Sequence, residues 1–261
     1  MIPGLFCHRR ILWELAKNDC KARFSNSFLG AAWNFLQPLI NMLVIWLVFQ
    51  VGFKSSNISE DVPFIIWYMP AFLIWNYFSE SLSQASGSLL EYSYLVKKVN
   101  FYVEVIPPIK IISNGMVHMF FILFIVFVNF CYGRTFSVYY LQAAYYFICA
   151  AAAALAFGWL FSAIAPFVPD VMNIVSIIIQ IGFWVTPIFW DPSNLNETAM
   201  YLLKINPMYY VCMGYRDSFV YGKPVWEHPL LGLYFWGVTI SVWMLGTRLY
   251  RKSKPHFDDV L

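Results

Sequence analysis

Six stretches of this chain contain no Asp, Glu, Lys or Arg: residues 29–53, 62–79, 111–133, 135–169, 171–190 and 228–247. Their lengths are 25, 18, 23, 35, 20 and 20 residues. A helix needs roughly 20 apolar residues to cross the hydrocarbon core of a bilayer. Inside that core each backbone N–H and C=O must be satisfied within its own segment, so the runs are expected to be helical. The 35-residue run exceeds one span and is divided by a turn near Gly133–Ser137. The expectation is an all-α integral membrane protein with six transmembrane helices. Composition agrees: of 261 residues, 60% are apolar and only 12% are charged, against about a quarter charged in a soluble domain. That balance excludes a cytosolic enzyme and a disordered chain. A net charge of +3 is too weak to imply nucleic acid.

Basic residues set the orientation, because cytoplasmic segments retain Lys and Arg. The first 28 residues, the loop before helix three and the C-terminal tail hold twelve of them. The alternate loops hold five. Both termini are therefore expected in the cytoplasm. The N-terminus reads as lacking a signal peptide, since Arg9 and Arg10 precede an amphipathic stretch with no apolar core segment or cleavage site. Five scattered cysteines without a CxxC suggest neither a disulfide framework nor a zinc site.

Several segments between the spans have distinct characters, within a single domain over 1–261. Residues 6–28 read as a cytoplasmic amphipathic interface helix. Leu5, Leu12, Leu15 and Ala16 face lipid, and Arg9, Lys17 and Lys21 face head groups or a partner. A plain anchor and a docking helix are both open here. Helix two begins near Pro63, is aromatic to Phe78, and then turns polar from Ser79 to Ser88, so that part must face protein or water. Residues 91–108, ending in Pro107-Pro108, form a short cytoplasmic element. Helix four carries Ala150, Ala154, Gly158 and Ser162 at four-residue spacing, a face that lets helices approach closely. Residues 191–227 are too long for a turn. They contain an uncharged run at 205–215 broken by Asn206-Pro207, which suits an outer re-entrant segment.

Three helices have polar faces. Helix one places Asn34, Gln37 and Asn41 on one stripe beside Trp33. Helix two adds Glu80 and Gln84 at i, i+4. Helix five aligns Asn173, Ser176 and Gln180, continued by Trp184. Intramembrane polar groups are costly unless paired or wet. They either line a hydrophilic passage or hydrogen-bond between helices to stabilise the bundle. The groups are mostly neutral, unlike the carboxylate rings or relays of a cation channel or proton pump. Amides with aromatic faces suit sugars. His118 is a lone histidine and is given no role. Most other aromatics, including Phe64, Trp67, Tyr68, Phe72 and Trp75, read as an outer interfacial belt.

Neither GxxxxGK[ST] nor HExxH nor GxSxG occurs in the sequence, so no P-loop ATP site or catalytic motif of these kinds is expected. Asn57 and Asn196 head N-x-[ST] sequons on the expected outer side.

Ordered blocks along about residues 10–252 carry a family resemblance. They are Leu15-Ala16-Lys17-Asn18-Asp19 with Lys21 and Arg23; Leu29-Gly30 with Trp33 and Gln37-Pro38-Leu39; and Phe78-Ser79-Glu80-Ser81-Leu82 with Lys97, Lys98 and Phe101. Asn206-Pro207 with Tyr215-Arg216-Asp217 completes them. In this order the chain resembles the membrane (permease) subunit of ABC-2 type polysaccharide exporters, the family of O-antigen, capsule and teichoic acid exporters. Tyr102 departs from the Phe-Pro common in that family.

The resemblance implies a homodimer in the bacterial inner membrane, bound to two separate ATPase subunits that hold ATP and Mg. It implies no cofactor in this chain and a polyprenyl-diphosphate-linked glycan as substrate. Trp33, Asn34, Gln37, Asn41, Glu80, Gln84, Asn173, Ser176, Gln180 and Trp184 would line the channel. Lys17, Lys21, Tyr94, Lys97, Lys98 and Phe101 would couple to the ATPases. A basic rim of Arg9, Arg10, Lys17, Lys21 and Arg23 would attract the diphosphate, or would simply be the positive-inside signal. Rival readings are an ABC-2 exporter of drugs or small lipids and a membrane-embedded lipid-sugar transferase, which would need converging acids or a metal site.

Overall fold

The computed structural model describes residues 9–23, 28–52, 57–59, 62–97 and 102–261. Among the described residues the fold is all-α apart from one two-stranded hairpin. In chain order the helices are α1 (Arg9–Ala22), α2 (Trp33–Leu47), α3 (Phe64–Glu91), α4 (Ser93–Val96), α5 (Ile106–Cys131) and α6 (Gln142–Ser162). They continue with α7 (Val171–Val185), α8 (Glu197–Ile205), α9 (Pro207–Arg216), α10 (Pro229–Ser253) and α11 (Phe257–Val260). Strands β1 (Asn57–Ser59) and β2 (Val62–Pro63) pair antiparallel between α2 and α3.

Among the described residues, four helical segments are long and apolar enough to cross a bilayer: Trp33–Gly52, Val103–Cys131, Val138–Ser162 and Pro229–His256. The other two expected spans differ for separate reasons. Helix α3 is 28 residues long, but its serine-rich second half lowers its apolarity. Helix α7 has 15 residues, about 22 Å at 1.5 Å per residue, and ends at Val185 rather than Trp190. Thr186 is extended, and its hydroxyl donates to Gly182 O at 2.7 Å.

Helix α3 is the axis of the bundle. Phe64, Trp67, Tyr68, Phe72 and Trp75 are all buried. The expected outer aromatic belt is thus, for these residues, the protein core. The reason is position: α3 packs against α2, α5, α6, α7 and α9, so its aromatics meet protein on every side. Its polar half behaves as expected of a shielded segment. Ser81, Ser86 and Ser88 are fully buried, and Ser86 and Ser88 bond back to the carbonyls of Leu82 and Ala85 at 2.7 Å. The small stripe of α6 is likewise packing. A Cβ on Gly158 would come within 2.7 Å of Ala85 Cβ.

Pro107 and Pro108 open α5 instead of closing the connecting segment. Proline is accepted in a first helical turn, where no N–H bond is required. The element expected over 91–108 is therefore shorter, and Lys110, read as a loop lysine, lies inside a helix. The 191–227 region is two helices, each capped by an asparagine. Asn196 Oδ1 accepts from Ala199 N at 2.9 Å, and Asn206 Oδ1 from Met208 N at 3.0 Å.

Arg216 pins α9 into the bundle. It is fully buried, and its guanidinium lies 3.4 Å from the Trp67 ring centroid. Its Nε donates to Trp67 O (3.1 Å) and its Nη2 to Ile188 O (2.5 Å).

The C-terminal tail closes the same end of the bundle as α1 and α4. Tyr250 donates to Val103 O at 3.0 Å, and Lys254 Nζ sits 2.9 Å from Glu104 Oε1. Tyr250, Phe257 and Trp159 share a buried cluster with Leu89, Leu95 and Val103. At the opposite end Trp67 donates to Tyr221 (2.8 Å) and Arg134 to Val220 O (3.1 Å).

Candidate functional site

The stripe of α2 faces a polar cavity of about 140 Å³ between α2, α3 and α5. Trp33, Asn34, Gln37, Asn41 and Glu80 line it. Arg23, Asn76, Asn114 and His118 also line it.

The floor of this cavity is a hydrogen-bond network centred on Arg23. Its Nη1 donates to Asn114 Oδ1 at 2.8 Å and Asn34 Oδ1 at 3.5 Å. Its Nη2 donates to Gln84 Oε1 at 2.8 Å, Ser113 Oγ at 3.2 Å and Asp19 Oδ2 at 3.4 Å. Gln84 also accepts from Asn114 (3.1 Å) and donates to Glu80 (2.7 Å). Asn34 donates to Cys20 O at 3.3 Å. Gln84 and Asn34 are thus committed to partners, whereas the side-chain amides of Gln37, Asn41 and Asn76 and the Trp33 indole N–H have no hydrogen-bond partner among the described residues. His118 meets Tyr215 OH at 2.9 Å and stacks on Phe147, a packed role.

Helix five does not join this cavity. Asn173, Ser176, Gln180 and Trp184 lie exposed on α7, and Ser176 bonds back to Met172 O at 3.0 Å. Gln180 alone meets the α2 stripe. It shares a second, more open recess of about 400 Å³ with Asn41, Asn76 and Ser79. A helical stripe specifies a polar face, not the neighbour it meets, and the flanking Ile174, Ile177, Ile178 and Ile181 are exposed too.

A charge clasp joins α1 to the rest. Lys110 is buried, with Nζ 2.5 Å from Asp19 Oδ1 and 2.7 Å from Glu91 Oε1, and 4.9 Å from the Tyr92 ring centroid. Tyr92 donates to the same Asp19 oxygen at 2.7 Å. Burial alone would raise the Asp19 carboxyl, but Lys110, helped by the Ser113 and Tyr92 hydroxyls, holds it below the ordinary carboxylate range. The buried face of α1 is therefore Ala16 and Asp19, docked on α5, while Ile11 and Trp13 point outward. This corrects the expectation that Ala16 faces lipid. Leu5 lies outside the described residues.

The expected coupling residues are at the surface of this same end. Lys17, Lys21, Tyr94 and Lys97 are exposed. Lys17 pairs loosely with Glu14 at 3.9 Å. Lys98 and Phe101 lie outside the described residues. Sequence reasoning missed Asp19, Lys110 and Asn114 as site residues and counted Arg23 only in the basic rim. One signal was available: Lys110, Asn114 and His118 recur every four residues, with Ser113 beside them, in an otherwise apolar helix.

The family model described as ABC-2 type transporter matches residues 10–220. A Klebsiella pneumoniae protein named O-antigen export system permease protein RfbA is 26% identical over 253 residues, covering 96% of this chain and 95% of that protein. A Myxococcus xanthus protein of the same name is 25% identical over 261 residues, covering 99% and 98%.

Proposed function

The chain belongs to the ABC-2 type transporter family, and on that premise we propose that it is the permease subunit of an ATP-driven exporter of a lipid-linked polysaccharide. The observation that carries the proposal is similarity from end to end to relatives named as O-antigen export permeases. The neutral, amide-lined cavity beside α2 supports it, because sugars exchange hydrogen bonds with such groups.

In this reading α3 and α7 complete six spans of one transmembrane domain, and α8–α9 form an outer re-entrant region. Both termini lie in the cytoplasm of a bacterium, under its inner membrane. Two copies associate through the exposed faces of α2 and α7. Their Gln180 recesses, lined also by Asn41, then meet in a shared passage. Two partner ATPase subunits, which bind ATP and Mg, dock on α1 and the 91–97 segment. The clasp at Lys110 makes those two docking elements one body with α5, so closure of the ATPases moves the cavity floor.

Deleting the protein should leave lipid-linked glycan accumulating inside the cell, and the ATPase should co-purify with the intact permease. A deletion strain with no such accumulation would overturn the glycan assignment and favour export of another lipid.

A further inference from the structure

Resting on the glycan-export reading, we infer that the cavity between α2, α3 and α5 is a subsite for an uncharged sugar unit and does not hold the diphosphate of the carrier lipid. The inference comes from accounting for which of its polar groups are free. Among the described residues Arg23 is the one cation on its wall, and an anion site there would have to use it. Both of its Nη groups are engaged. Five acceptors surround the guanidinium, and the Asp19 carboxylate is one of them. Freeing Arg23 for a phosphate would take the donor away from the buried Asn114 and Asn34 side-chain oxygens, and a buried acceptor left unpaired carries its full desolvation penalty.

The free groups have the opposite character. Gln37, Asn41 and Asn76 offer amide donors and acceptors, and Trp33 offers an indole N–H and a ring face. Glu80 uses one carboxylate oxygen on Gln84, and its negative charge opposes an approaching phosphate. Paired donors and acceptors beside an aromatic face match hydroxyls and the C–H face of a pyranose. The volume of about 140 Å³ holds about five waters at roughly 30 Å³ each, the scale of one sugar ring and not of a polymer. Arg23 is accordingly a positioning residue that fixes the amides of the floor.

The test is cysteine labelling in cells. Val117 lines the cavity without joining its polar network, so Val117→Cys is the reporter, with Leu73→Cys, another apolar lining position, as a second. Both are placed in an export-competent chain whose five native cysteines are serine. Labelling by a small thiol reagent is compared in cells making the complete lipid-linked glycan, cells making polyprenyl diphosphate without a glycan chain, and cells making neither. The expected result is at least fivefold slower labelling with the complete glycan only. Equal slowing by the chainless carrier would assign the cavity to the diphosphate, and unchanged labelling in all three would remove it from the glycan's path. Either result overturns the subsite while leaving the export reading to stand or fall on glycan accumulation in the deletion strain.

Discussion

Removing the ammonium of Lys110 should loosen α1 without unfolding the bundle. In Lys110→Met the Asp19 carboxylate, whose side chain is 4% exposed, loses its closest cation. Breaking a buried pair by removing one partner costs about 3–5 kcal/mol. The bond to Glu91 adds little, because that carboxylate is 57% exposed and exposed pairs contribute about 0–1 kcal/mol. Arg23 at 3.4 Å and the Tyr92 hydroxyl at 2.7 Å remain on Asp19, which sets the cost at the lower end, about 3 kcal/mol.

At 1.4 kcal/mol per decade that is roughly a hundredfold in the equilibrium for local opening of α1. Amide hydrogen exchange in α1 reads it directly: buried-face amides near Ala16 and Asp19 should exchange about a hundredfold faster, and those in the middle of α5 should not. Asp19→Asn combined with Lys110→Met removes the buried carboxylate along with its cation and should recover most of the protection, less the 3.4 Å pairing that Arg23 loses. Less than a threefold change in the single variant, or a double variant no better protected, would refute the clasp. The pH dependence has a definite sign. The Asp19 carboxyl is depressed on folding, so its contribution is complete above the unfolded value near 3.9 and is lost only as pH falls through the folded value. Docking of α1 should therefore be flat from pH 5 to 8 once intrinsic exchange rates are divided out.

Gly158→Ala puts a methyl against Ala85 Cβ at the α3–α6 contact. It should destabilise by about 1–3 kcal/mol in thermal unfolding in detergent, while Gly237→Ala, with open space around it, should not. Arg216→Ala strands the carbonyls of Trp67 and Ile188 at about 1–3 kcal/mol each, and Arg216→Lys should rescue only in part because an ammonium lacks the planar fork; size-exclusion profiles after heating check both. Lys97→Glu reverses charge at an exposed position beside the clasp and should weaken ATPase co-purification or uncouple ATP hydrolysis from export; normal export and association would remove Lys97 from the docking surface. Gln37→Ala and Trp33→Ala should lower export in a glycan-accumulation assay at unchanged membrane level, because neither side chain holds a hydrogen bond that the fold needs.

What could be read along the chain was whatever depends on a segment's own solvent. Charge-free runs locate helices because a desolvated backbone must satisfy itself within the segment, and the four long apolar helices fall on them. Stripes such as Asn34, Gln37 and Asn41 mark polar faces for the same local reason, and the cavity wall on α2 was legible in that way. Partner identity was not, because it depends on distances between segments remote in sequence. The aromatics of α3 have the composition of an interfacial belt and are core only because five helices surround α3. Lys110 has the sequence surroundings of a loop lysine. It is a buried clasp because Asp19, 91 residues away, is folded against it. The polar face of α7 and that of α2 look alike in sequence, yet tertiary packing sets the α2 face on a cavity wall, with Asn34 in its network, and leaves the α7 face exposed. A helical period sets the direction of a side chain from its own axis, and only the packing of axes decides what stands opposite.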